Sequence, residues 1–387
     1  MILSTQSAAL FMSQVFSSVG AEGHGHGKSL PPLALTQIFP FCALMYGSIA
    51  GLWMLYSFYY RAAAVKGEHG TAYIALLCIT WCSFSVGMHV LNKSLAGSLE
   101  APSLISIIQM VIAVFLLGAY NFKQFMEANR QQMRTWLVVP VFFAAMLCSS
   151  FYTYQYISLS LLTVVRNLTP LIVLPIESLV MPAEKRPSVT IAMVGAILVM
   201  LAGTMVYSGG VKDISMVGIG FAVANMILAA SDRIIQRRLL TQECSSLPSS
   251  TCAIINNSVG ILPCMALAFI TDEVHSTTSP EHMAHWSDPR ILVLLFLSGC
   301  AGIGICYMGF ECQRVISATS FFVMQNVSKV AVVTCGIAFF GDPIRSPMAA
   351  GGLLLSLAGS YLYSWTQLKP KPMEKKAAEK GDQKGTV

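Results

Sequence analysis

The chain has 387 residues, of which 55% are hydrophobic and only 11% charged, and its mean hydropathy is +0.65. A soluble domain carries about 25% charged residues, so this chain cannot solvate an ordinary surface and lipid must be its main solvent. The formal net charge of +6 comes mostly from the C-terminal tail, which excludes a nucleic-acid reading. No GxGxxG, P-loop or HExxH pattern is present, and His, Asp and Glu never gather at metal-ligand spacing, so no cofactor and no metal is expected. The 11 cysteines form no CxxC pair and lie mostly in apolar stretches. They read as small packing residues in membrane helices and not as a disulfide framework.

In chain order, residues 1–33 read as an N-terminal tail, with His24 and His26 in a glycine-rich run. Segment 34–60 carries no charge, is too long for the apolar region of a cleaved signal and lacks a basic start, so it is expected to be a retained extra span. Its GSIAG run at 47–51 matches GxxxG, a spacing that can seat a partner helix. Ten further apolar segments follow: 71–91, 102–120, 136–156, 161–181, 188–208, 215–235, 250–271, 291–310, 316–340 and 346–366. Each approaches the roughly 20 residues that cross a bilayer core as helix. Helix is the required form, because a spanning segment in lipid must satisfy its own backbone groups. The fold class is therefore an all-α membrane protein: a first five-helix half over 71–208, a second over 212–366, and a Lys/Glu-rich disordered tail over 367–387.

Basic residues set the orientation. Alternate connections carry 17 Lys and Arg on one side and 5 on the other, which puts the C-terminus in the cytosol. In that count Arg233, Arg237 and Arg238 fall on the cytosolic side, and Asn92-Lys93-Ser94 is a lumenal sequon lying against the membrane.

Three charged residues then stand within the spans: Arg166, Glu177 and Lys329. Intramembrane charges usually face a cavity, a partner or a pathway. Arg166 and Glu177 are 11 residues apart and fall within about 20° of one helix face, though about 16 Å apart along it. Glu177 lies close to Lys185 and Arg186, where an interfacial ion pair explains it. Lys329 is 13 residues into its span, too deep to snorkel with ease. Two cations and one carboxylate leave the interior positive, which suits an anionic substrate; pairing of both cations within the fold is the competing explanation. Asn225, Asn256, Asn257, Gln325 and Asn326 add amides that can read a base or sugar edge or bridge helices.

These residues lie in stretches that resemble the drug/metabolite transporter superfamily, and most closely its Golgi GDP-mannose and related GDP-sugar transporters. The resemblance runs over about 71–366. The run from Thr163 through Arg166, Asn167 and Thr169 looks like the family's fourth helix, and Asn225, Ala229, Ala230, Ser231, Arg237 and Arg238 like its sixth. Ile255-Asn256-Asn257-Ser258 with Pro263 is similar to the double-asparagine motif of its seventh helix, which contacts the nucleotide. In the ninth helix the family's Gly-(Ala/Ser)-Leu-Asn-Lys aligns with Gln325 to Lys329: the phosphate-facing lysine is kept, Gln325 replaces the glycine, Ser328 replaces the asparagine, and Phe321 stands where Tyr is common.

The resemblance implies a ten-helix inverted-repeat (5+5) transporter core, here with one extra N-terminal transmembrane segment, and a central site opening alternately to each side. It implies exchange of a cytosolic nucleotide sugar for lumenal nucleoside monophosphate in a Golgi membrane, with ER residence as the alternative. Asn256 and Asn257 would read base or ribose, Lys329 would hold phosphate and Arg166 would assist. Asn225, Gln325 and Ser328 would line the site, and Tyr307 and Phe321 would pack against base or sugar or serve plain helix packing. A homodimer is compatible with the sequence. The competing readings are a UDP-sugar carrier, an exchanger of a phosphorylated metabolite such as triose phosphate, and a multi-span enzyme or receptor. Triose phosphate needs more than one strong cation around a small phosphate, and no Arg accompanies Lys329 in its own helix.

Overall fold

Lipid offers a peptide group no hydrogen-bond partner, and the chain answers with helix throughout. The structure, a computed structural model, describes residues 32–65, 71–99, 101–172, 174, 189–210, 215–277, 286–315, 318–341 and 346–368. His24, His26, Glu177, Lys185, Arg186 and the tail lysines lie outside the described residues. Among the described residues there is no strand. The elements are α1 (Pro32–Val65), α2 (Thr71–Leu99), α3 (Pro102–Glu127), α4 (Arg130–Trp136), α5 (Val139–Tyr156), α6 (Leu159–Asn167), α7 (Ile191–Gly210), α8 (Met216–Thr241), α9 (Ser249–Ile270), α10 (Glu273–Thr277), α11 (Pro289–Val315), α12 (Ala318–Phe340) and α13 (Pro347–Leu368).

Among the described residues, seven helices are individually long and apolar enough to cross a membrane, or eight if α4 and α5, bent by 40° at their break, form one span. Among the described residues, the ten core segments of the sequence reading do not all pass that test. The helix through Arg166 is described only as Leu159–Ile172 before the chain leaves the described residues. α12 carries Gln325, Asn326, Ser328 and Lys329 within its apolar stretch Met324–Phe340.

Helix ends are closed by residues distant in sequence. Pro102 opens α3, where a missing N–H costs nothing. The next two donors, Ser103 N and Leu104 N, go to Glu273 Oε2 at 2.8 and 3.2 Å. Tyr152 of α5 donates to the other Glu273 oxygen at 2.8 Å, so one carboxylate ties α3, α5 and α10 together. Lys93 was expected in a connecting loop; instead α2 continues through it to Leu99. Its ammonium group donates to the carbonyls of Tyr154 and Ile157 at the end of α5. Asn92 is likewise internal, accepting from Gln109 Nε2 at 3.0 Å and Ser298 Oγ at 2.7 Å, so the sequon is not open to a glycan.

α8 packs on α5, α9 on α3 and α5, and α11 on α2 and α3, while α12 meets α2, α6 and α13. α7 and α13 run together as the most extensive pair. There, a Cβ at Gly203 would fall on the backbone of Ser356, and one at Gly352 on the backbone of Tyr207. α1 lies against α2 and α12, with Trp53 Nε1 donating to Thr80 Oγ1 at 2.9 Å.

Candidate functional site: a cluster of three cations

Arg166 sits at the end of α6. Pro170 has no N–H to return to the carbonyl of Arg166, and the Thr169 hydroxyl donates to that carbonyl at 2.5 Å instead. The helix therefore breaks just past Arg166, at Leu168. The guanidinium is held by neutral groups from three other helices. Nη2 donates to Asn225 Oδ1 of α8 at 2.6 Å and to Ser150 Oγ of α5 at 3.3 Å. Nη1 meets His89 Nε2 of α2 at 3.4 Å, and His89 Nδ1 meets the Tyr154 hydroxyl at 2.8 Å. Asn225 is fixed in turn: its amide nitrogen donates to Met146 O at 2.7 Å, Ser150 Oγ at 2.8 Å and Ser149 Oγ at 3.0 Å. Asn225 thus orients Arg166 from a fully buried position.

Lys329 donates to Asn326 Oδ1 at 3.0 Å, one turn back on α12. Asn326 is anchored to α13: its amide nitrogen donates to Ser360 O at 2.9 Å and to Ser364 Oγ, and its Oδ1 accepts from Ser360 Oγ at 2.7 Å. Asn167, beside Arg166, donates to Ser356 Oγ at 2.9 Å. Ser356, Ser360 and Ser364 recur every fourth residue and so share one face of α13. That serine stripe seats both cation-bearing helices.

The third cation is Arg233. Counted to the cytosolic side from sequence, it lies within the apolar window Met216–Leu240 of α8. Its guanidinium stands 5.4 Å from the Phe321 ring centroid on α12. The Gln325 amide oxygen, turned towards it, accepts from Nη1 at 2.6 Å and Nη2 at 3.1 Å. Arg233 keeps exposed surface in a recess bordered by Phe321 and Gln325 of α12. Lys329 feels the repulsion of both Arg166 and Arg233. Every hydrogen-bond partner of the three cations among the described residues is neutral. No metal-binding cluster of His, Cys, Asp or Glu occurs among the described residues.

The remaining predicted site residues divide. Phe321 packs on Trp81, with ring centroids 5.1 Å apart, under Arg233. Ser328 turns its hydroxyl to its own helix, donating to Gln325 O at 2.8 Å. Asn256 is fully buried and its Oδ1 accepts from Trp136 Nε1 at 2.8 Å, leaving Nδ2 without a hydrogen-bond partner among the described residues. Asn257 Nδ2 donates to Ala253 O at 2.8 Å. Tyr307 borders a cavity of about 360 Å³ with Glu311, Gln124 and residues 246–250. The sequence reading missed Arg233 and Asp232 as intramembrane charges, although both fall inside its own segment 215–235. It also missed the i, i+4, i+8 serines of α13.

Comparison with known proteins places this arrangement. A GDP-mannose transporter of Meyerozyma guilliermondii is 22% identical over 282 residues, 68% of this chain and 78% of that protein. The GDP-mannose transporter GONST2 of Arabidopsis thaliana is 25% identical over 288 residues, 70% of this chain and 72% of that protein. The chloroplastic phosphoenolpyruvate/phosphate translocator 1 of Arabidopsis thaliana is 20% identical over 303 residues, 77% of this chain and 73% of that protein. A protein of known crystal structure shares the fold with TM-score 0.51 at 15% identity, over 76% of this chain and 96% of its own. Residues 72–364 match the model of the Triose-phosphate Transporter family, and the chain, a membrane transporter and not an enzyme, belongs to that family.

Proposed function

We propose that the protein carries a nucleotide sugar, a GDP-sugar such as GDP-mannose, into the Golgi lumen in exchange for GMP. The observation that carries this reading is the cluster of Arg166, Arg233 and Lys329, three intramembrane cations whose hydrogen-bond partners among the described residues are neutral. Such a cluster is costly when empty and is relieved by a polyanion, so exchange of one anion for another keeps it occupied. Lys329 and the two arginines take the phosphates. The unpartnered Asn256 amide and Asn257 read base or ribose once α9 moves to uncover them, and Gln325, Ser328, Phe321, Tyr307 and Asn225 shape the surroundings. The relatives named GDP-mannose transporters favour the guanine nucleotide.

Alternation between the two sides follows from a 5+5 inverted repeat over 71–208 and 212–366. Under that relation α2 pairs with α11 as α8 pairs with α5, and α3 with α11 as α9 with α5; these pairings support it. α1 is then an extra span and the C-terminus is cytosolic. A second reading, a phosphorylated-metabolite exchanger, gains from Arg233: the sequence offered no arginine beside Lys329, and the fold supplies one across α8 and α12. A translocator of phosphoenolpyruvate and phosphate is also among the relatives.

Liposomes holding the purified protein and preloaded with GMP, UMP, CMP, AMP or phosphate decide between these. Uptake of GDP-mannose that requires internal GMP and is lost in Lys329→Ala and Asn257→Ala is expected. Uptake of phosphoenolpyruvate or triose phosphate against internal phosphate, without GDP-mannose uptake, would move the protein to the second reading.

A further inference from the structure

Asp232 stands on α8 one residue before Arg233, within the apolar window Met216–Leu240, and 3% of its surface is exposed. Its Oδ2 accepts from Gln236 Nε2 at 2.6 Å, one turn along the same helix. Its Oδ1 has no hydrogen-bond partner among the described residues. A carboxylate offers about four lone-pair sites, and leaving a buried charge unpaired is the most expensive state a side chain can occupy.

Among the described residues no cation forms an ion pair with this carboxylate, although the charge of Arg233 is felt at Asp232. Arg233, the cation closest in sequence, gives its guanidinium to Gln325 and Phe321 of α12. From α11 the titratable neighbour is the Cys306 thiol. α5 and α6 pack along α8, and the charge they bring, Arg166, is committed to Asn225, Ser150 and His89. On α12, Lys329 holds Asn326. The arrangement suits a neutral carboxylic acid, for which one unmade hydrogen bond is a modest cost, better than it suits an anion.

We propose that Asp232 is a proton-binding site coupled to the cation cluster: with a proton on Asp232, Arg233 is free to serve the substrate anion, and without it Arg233 turns back to Asp232. The proposal rests on reading that cluster as the substrate site. The chemistry is a single proton transfer from an aqueous acid, on whichever side the recess faces, to the carboxylate; no other bond changes. Linkage makes the coupling reciprocal. A proton on Asp232 tightens anion binding, and anion binding draws a proton onto Asp232. The sign follows: affinity for the anion rises as pH falls, by up to about tenfold per pH unit while Asp232 titrates.

The test uses the full-length protein with ¹³C-labelled aspartate, read by infrared difference spectroscopy, with GDP-mannose and inorganic phosphate as probes. The carbonyl stretch of a protonated aspartic acid is expected, absent in Asp232→Asn and shifted in Gln236→Leu, which removes its hydrogen-bond donor. Whichever anion is transported should strengthen that band and carry protons into pyranine-loaded liposomes, while Asp232→Asn should bind it with a pH dependence reduced to that of the anion's own ionisation. Absence of the band at every pH between about 5 and 8, or a band that neither anion alters, would overturn the proposal. So would unchanged pH dependence in Asp232→Asn. Should Asp232→Asn not fold, the Gln236→Leu shift alone decides the assignment: an unshifted band is not Asp232. Phosphate exchange without GDP-mannose uptake, with the band intact and responsive, would refute the nucleotide-sugar reading and leave the proton site standing.

Discussion

The α7–α13 seam and the α6–α8–α12 centre are built on opposite plans. Along the seam the backbones themselves touch: Gly203 and Gly352 each leave room for a partner backbone that any Cβ would strike. At the centre the helices meet through long cationic side chains that reach amides and an aromatic ring. Close backbone packing tolerates no intermediate arrangement, whereas a guanidinium can exchange one neutral acceptor for another at small cost. The seam therefore suits a rigid frame and the centre a set of moving parts. Gly352→Leu tests the frame most harshly. Overpacking costs about 1–3 kcal/mol even where side chains can yield, and here the clash is with the backbone of Tyr207. A loss of about 3 kcal/mol or more is expected in unfolding from detergent, with transport lost because the protein itself is lost.

Lys329→Ala should show the reverse pattern. The ammonium group repels Arg166 and Arg233 and receives only the Asn326 oxygen in return, so removing it should leave thermal stability unchanged or raised. Exchange should fall about a hundredfold, the equivalent of about 3 kcal/mol, because the substrate phosphate loses a desolvated charge partner. Equal losses of stability and transport would erase the distinction between frame and centre. Asn225→Ala asks for less. It removes the 2.6 Å acceptor that aims Arg166 while leaving Ser150 and His89 in place. Exchange about tenfold slower is expected, in line with roughly 1.5 kcal/mol for a charge-assisted hydrogen bond.

The frame was legible in the sequence and much of the centre was not. Runs of uncharged apolar residues mark helices wherever lipid is the solvent, so the all-α membrane class follows from composition and segment length. Arg166 and Lys329 were visible as charges in the middle of such runs. Arg233 was hidden because Arg237 and Arg238 follow it, and a basic string near the end of a span looks like an interfacial anchor. Only the folded α8, which remains helical to Thr241, shows that the first of the three lies a turn deeper. Lys93 was misplaced for the converse reason: a lone lysine read as a loop marker turns out to cap the carbonyls of α5 from inside α2. Asn256 illustrates a further limit. A motif can name a residue, but only the fold shows that Trp136 already occupies half of its amide.

The smallest effect asks to which region α1 belongs. That helix touches both α2 and the Lys329-bearing α12, so it is either part of the frame or a brake on the moving centre. Its polar tie is to α2, where Trp53 Nε1 donates to the buried Thr80 hydroxyl, which itself donates to Leu76 O at 2.7 Å. Trp53→Phe keeps a smaller aromatic ring against Tyr56 and Tyr73 and deletes the donor. Thr80 then loses one of its two bonds and keeps the helical one, so the cost should stay within about 0.6–2 kcal/mol, the range for hydrogen bonds between membrane helices. If α1 belongs to the frame, that loss appears in unfolding alone and the rate of exchange does not change. If α1 restrains α12, loosening it should speed exchange in the variant while its stability falls, because the bond removed would then oppose the motion that carries Lys329 from one side to the other.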